Sequence, residues 1–123
     1  MAQKFKIPTD IESDAKEYMK TVLAKLEENG ILENVDSAAL TMLARNYSTF
    51  IRASKQLEKD GITYMSDRNN IQPHPAIKIA NDAQSKAMKV MEEFGLTAKS
   101  RKKLKIEKEE ESPFEAFGKD EQE

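Results

Sequence analysis

The residues of this chain best suited to chemistry are cations. Lys99, Arg101, Lys102, Lys103 and Lys105 follow one another closely, and no acidic residue interrupts them before Glu107. Such clustering suits a polyanion, because each phosphate neutralised releases counterions and log K falls by about 0.9 per contact per decade of salt. A blander reading stands beside it: a solvated helix end, whose cations favour the negative pole of the helix dipole. Upstream, Arg45, Arg52, Lys55 and Lys59 lie on the polar face of another helix. Catalysis has little to stand on. His74 is the only histidine, set between two prolines, and there is no cysteine, so the usual zinc ligand sets cannot be assembled. A Ser-His-Asp arrangement would have to recruit His74; a surface or interface histidine is the plainer reading. The glycines stand singly, with no GxGxxG and no phosphate-cradling loop, so no cofactor is expected. Carboxylates abound, but in a chain that is 34% charged they read as a solvated face. The chain is not expected to be an enzyme.

The elements that must position these cations are helices. Thr9-Asp10-Ile11-Glu12 has the spacing of a capping box. Ile11, Ala15, Tyr18, Val22 and Leu26 then form a stripe that Asn29-Gly30 ends, after which Ile31-Leu32 can fold back on the last turn. Asp36 is the expected N-cap of a second helix running to about Lys59, with Leu40, Leu43, Ala44, Tyr47, Phe50, Ile51, Ser54 and Leu57 at three- and four-residue steps. Tyr47 and Phe50 lie in that apolar stripe, which makes them core rather than base-stacking residues. Residues 62–72 are the one place for extended structure, a short hairpin turning at Asp67-Arg68-Asn69-Asn70. A third helix begins at Pro75, where the missing N–H is no loss, and carries Ile77, Ala80, Ala83, Ala87, Val90, Met91 and Phe94 to a stop at Gly95. Its alanines permit close approach, within the core or between subunits. Thr97 is a credible N-cap for the short basic helix that follows, Ala98 to Ile106.

Composition sets the scale. In 123 residues the apolar fraction is 38% and tryptophan is absent, which is modest for a self-sufficient globule. A mean hydropathy of −0.73 says the same. Small chains of this kind often complete their core against copies of themselves. No apolar run reaches the roughly 20 residues of a membrane span, and the N-terminus has no signal-peptide core. A cysteine-free chain fits a reducing compartment, so a cytoplasmic protein is expected. The net charge of −2 hides a split: eight acidic residues against two lysines in 107–123 give −6 there and +4 over 1–106. The overall pI of 5.6 conceals it. Phe114 and Phe117 stand at i and i+3 in the acidic tail, where a short helix would offer both to a partner's groove; a disordered tail with incidental aromatics is the alternative.

One stretch carries a family resemblance. Residues 73–83 (PHPAIKIANDA), followed by 93–104 (EFGLTAKSRKKL), resemble the end of the phage terminase small subunits. The family pattern is an Asn-Pro leading into a long helix, then Gly-Leu-Thr-Pro-x-Ser-Arg. Pro75, Gly95, Leu96, Thr97, Ser100 and Arg101 match; His74 stands for the Asn and Ala98 for the Pro. The resemblance implies a non-enzymatic subunit that assembles into a ring and recognises double-stranded viral DNA at the packaging start. It also implies a regulatory partnership with the large ATPase and nuclease subunit in the host cytoplasm. Carried over to this chain, it makes Arg101, Lys102 and Lys103 the first phosphate contacts, Lys99 and Lys105 the next, then Arg52 and Lys55. It makes Phe114 and Phe117 the dock for the large subunit.

The expectation is therefore an all-α chain of about three main helices with a short basic C-terminal helix, a short hairpin and an acidic disordered tail. Residues 1–8 form a flexible basic lead, 9–106 a helical, oligomerising DNA-binding domain, and 107–123 the acidic tail with its Phe motif. Two other roles remain open: a small helical transcription regulator, and a structural adaptor with no DNA role.

Overall fold

The computed structural model describes residues 5–30, 32–103, 105 and 106. Three helices dominate: α1 (Ser13–Asn29), α2 (Ser37–Asp60) and α3 (Pro75–Glu93), with a 3-10 turn, Asn34–Asp36, before α2. Between α2 and α3 lies a two-stranded antiparallel hairpin, β1 (Thr63–Met65) and β2 (Ile71–Pro73). The chain divides into two compact units, Met1–Val90 and Met91–Glu123.

In the first unit α1 and α2 pack on one another. The four largest fully buried side chains come from these helices, Met19 and Leu26 from α1 and Leu40 and Leu43 from α2. Burying a side chain of that size contributes about 1.5–3 kcal/mol, so this pair is the stabilising centre of the unit. Tyr18 meets Tyr47 edge-on, with ring centroids 4.9 Å apart. Tyr47 in turn stacks near Phe50 at 6.5 Å. Both aromatics of α2 thus serve packing. A second cluster joins the later half of α2 to the start of α3, where Ala53, Ala76 and Ala80 are buried with Phe50 and Leu57 against them. Ala83 and Ala87 are buried too, which places the alanine stripe in the interior of a single chain.

The hairpin has the expected position and turn. Thr63 pairs with Pro73, Tyr64 with Gln72 and Met65 with Ile71. Asn69 sits at φ 61, a left-handed conformation that asparagine tolerates better than most residues. Neither face of the hairpin is covered: Ile62 is 65%, Met65 60% and Ile71 71% exposed.

Two helix starts differ from expectation. The capping box at Thr9 does not form. Glu12 is itself the residue before α1, extended at φ −59 and ψ 146, and no side chain caps the helix. The Glu12 carboxylate goes instead to Arg52 and Lys55 on α2. Two cations across the helix interface outcompete one local N–H. At α2, Asp36 does occupy the N-cap position without capping by its side chain; its Oδ2 accepts the upstream Glu33 N–H at 3.0 Å. Phe5, in the lead segment, is buried at 5% exposure, as is Ile11 at 7%.

Candidate nucleic-acid interface

The basic segment is delimited by two local motifs. The last turn of α3 closes with paired bonds: Gly95 N–H donates to the Glu92 carbonyl at 3.1 Å and Leu96 N–H to that of Met91 at 2.8 Å. This is a Schellman closure, and the residue at its turning point must adopt positive φ. Gly95 does so, at 70°. A new helix is then capped reciprocally. Ser100 N–H donates to Thr97 Oγ1 at 3.1 Å, and Thr97 N–H donates to Ser100 Oγ at 3.2 Å. The motif is a capping box with serine in the place usually taken by Glu or Gln. Residues 98–103, 105 and 106 are helical. Ala98 stands at the first helical position, where the family's proline would also fit.

On that helix Lys99, Lys102 and Lys103 share one face by three- and four-residue spacing, and Arg101 and Lys105 share the adjoining one. All five side chains are exposed. At 1.5 Å per residue they span about 9 Å of axis, close to three successive phosphates of one strand at about 3.4 Å axial spacing. Arg101 spends one N–H locally, from Nη1 to the Leu96 carbonyl at 3.0 Å. None of the five is ion-paired with another described residue.

Arg52 and Lys55 stand differently. They lie on α2 in the first unit, and Glu12 engages both: Arg52 Nε donates to Oε2 at 3.1 Å, and Lys55 Nζ to Oε1 at 2.8 Å. Arg52 Nη2 also donates to the Asp10 carbonyl at 3.0 Å, while Arg45 Nη1 donates to the Asp10 carboxylate at 3.2 Å. Residues 10–12 therefore lie as an acidic strap along α2. Its backbone is tied by the Glu12 N–H, which donates to the buried Ser48 hydroxyl at 2.9 Å. The electrostatics follow the bonds. Lys55 and then Arg52 hold the Glu12 carboxyl below its ordinary range, Arg45 does the same for Asp10, and Glu12 raises Lys55.

His74 has a structural task that its isolation in the sequence obscured. Its Nδ1 accepts the Ala76 N–H at 2.9 Å, capping α3. Its Nε2 lies 2.9 Å from Asp60 Oδ2 at the end of α2. With Nδ1 accepting, the neutral ring carries its proton on Nε2 and donates to Asp60. That bond, then one from Gln56, lowers the Asp60 carboxyl. The signal was present in Pro73-His74-Pro75: a residue before a proline that opens a helix is an N-cap, and asparagine is favoured there. The imidazole does the work an asparagine would do and adds a tie to α2. Asp10, Glu12 and Ser48 left no comparable signal, because their partners lie 35 to 43 residues away.

Phe114 and Phe117 lie outside the described residues. Among the described residues, no group of three or more His, Cys, Asp or Glu could hold a metal ion. No described helix is long and apolar enough to cross a membrane.

No curated protein and no solved structure matches the chain. A family model does: residues 15–111 match that of the phage terminase small subunit, which covers well over half of the chain. The chain therefore belongs to the phage terminase small subunit family, whose role is in phage genome packaging.

Proposed function

We propose that this chain is the DNA-recognising, non-enzymatic small subunit of a viral packaging terminase, acting as a homo-oligomer and regulating the large ATPase and nuclease subunit in the host cytoplasm. The observation that carries the DNA role is the run of five exposed cations on one capped helix, none paired with a described acidic residue. Arg101, Lys102 and Lys103 are the first contacts, with Lys99 and Lys105 beside them. About three phosphate contacts per chain bind weakly, so useful affinity calls for several copies on one DNA. The uncovered hairpin supports self-association, since an exposed apolar two-stranded sheet is marginal alone and offers free edges for pairing. Phe114 and Phe117 dock the large subunit, the acidic residues around them supplying charge and reach.

Solution mass by light scattering, combined with duplex DNA binding over a salt series, tests this reading. A multi-subunit assembly whose binding weakens steeply with salt supports it. A dimer with one defined operator footprint favours a transcription regulator, and a monomer indifferent to DNA at low salt overturns it. Removing residues 112–123 should spare assembly and reduce stimulation of the large subunit; full stimulation without them would remove the docking role.

A further inference from the structure

The cations of α2 follow a single face. Arg45, Ser48, Arg52, Lys55 and Lys59 recur at three- and four-residue steps, so a helix of about 1.5 Å rise carries four positive charges along about 21 Å. Among the described residues the ion pairs on this face come from two carboxylates, those of Asp10 and Glu12, and Lys59 makes none. Asp14 and Glu58 also act on Lys55 from a distance, and Asp60 neighbours Lys59. The strap has anchors other than these ion pairs. Phe5 and Ile11 are buried on either side of Asp10, and the Glu12 N–H is held by Ser48. The pairs themselves are exposed, with Arg45, Arg52 and Lys55 side chains 53%, 59% and 61% accessible. Exposed pairs are weak and screened by salt. The manner of contact is also informative. Glu12 gives one oxygen to Arg52 and the other to Lys55, as the two non-bridging oxygens of a phosphodiester would.

We propose that this face of α2 is a second DNA-backbone surface, which the Asp10 and Glu12 carboxylates occupy in the free chain and phosphates displace. The proposal deepens the DNA-binding reading above by adding Arg45 and Lys59 to the surface and a built-in competitor to its regulation. Binding there exchanges carboxylate for phosphate on the same cations, so the strap lowers affinity for DNA until a high local phosphate concentration is present.

The test uses the full chain and a duplex DNA of random sequence, followed by fluorescence anisotropy over a salt series. Asp10→Asn with Glu12→Gln keeps shape and removes both charges. The pair is placed in the wild type and in a background with Arg101, Lys102 and Lys103 changed to Ala. In both, affinity at low salt should rise about tenfold and the log–log salt slope should steepen, by less than about 2 because part of these contacts already form by displacement. Adding Arg52→Ala and Lys55→Ala should cancel the gain. An unchanged affinity and slope in the basic-helix-neutralised background, with unaltered thermal melting, overturns the proposal. So does a gain that survives loss of Arg52 and Lys55. A gain seen only through α2, with the wild type insensitive to Arg101, Lys102 and Lys103, leaves this proposal standing and sinks the C-terminal assignment. Should the double variant fold poorly, the carbon-13 signal of the Glu12 carboxylate in the wild type gives the answer. It should move on saturation with duplex, and a stationary signal counts against displacement.

Discussion

The two basic regions of this chain have similar charge and opposite circumstances. On α2, Arg45, Arg52 and Lys55 are engaged by the carboxylates of a strap drawn from the start of the chain. On the C-terminal helix, Lys99, Lys102, Lys103 and Lys105 have no described acidic partner, and Arg101 has only a carbonyl. The difference lies in packing. A strap that buries Phe5 and Ile11 must pass over α2, and it brings two acids with it. The C-terminal segment is bounded by a helix stop and a cap, both closed by bonds within residues 91–101. Charge counted along the chain weighs the two clusters alike; the fold separates them into cations already answered and cations with no acidic partner among the described residues.

That contrast can be attacked at its supports. The largest effect should come from Ser48→Ala, which leaves the part-buried Glu12 N–H without its partner and costs about 1–3 kcal/mol in a denaturant melt. A negligible loss would mean that the strap is held by its charges after all. Thr97→Ala should unwind the start of the basic helix at a cost of about 0.5–2 kcal/mol to that helix. It should weaken DNA binding without lowering the main melting transition, read by circular dichroism and anisotropy side by side. His74→Ala removes the α3 cap and should cost about 1 kcal/mol, whereas His74→Asn should retain most of it; equal losses would assign the cost to the Asp60 bond. The smallest effect is that of pH. Asp10 and Glu12 are both held below their ordinary range, so their contribution is present above the unfolded-state values near 4 and is lost as pH falls through the folded-state ones. Stability in a denaturant melt should fall slightly only on that acid side, and Glu12→Gln should blunt the step.

Much of this was legible in the sequence, and the boundary is physical. The stripes of α1, α2 and α3 follow from a helical period over many residues, and their stops follow from Gly30 and Gly95 at positive φ. Thr97 and Ser100 cap one another three residues apart, so the start of the basic helix is a local fact. Glu12 shows where such reading ends. Thr9 and Glu12 have capping-box spacing, but two cations on α2 bid more strongly for the carboxylate than one backbone N–H. The partners of His74 stay hidden for a related reason: Ala76 and Asp60 are recognisable only once Pro73 and Pro75 have been assigned to strand and helix.

The most direct measurement compares two substitutions in one salt series on duplex DNA. Changing Arg101, Lys102 and Lys103 to Ala should reduce the log–log slope by about 2.7, three contacts at about 0.9 each. Changing Arg52 and Lys55 to Ala in the wild type should reduce it by less, since their phosphate contacts form only as Glu12 is displaced. Equal reductions, or a larger one from the α2 pair, would contradict the division between answered and open cations.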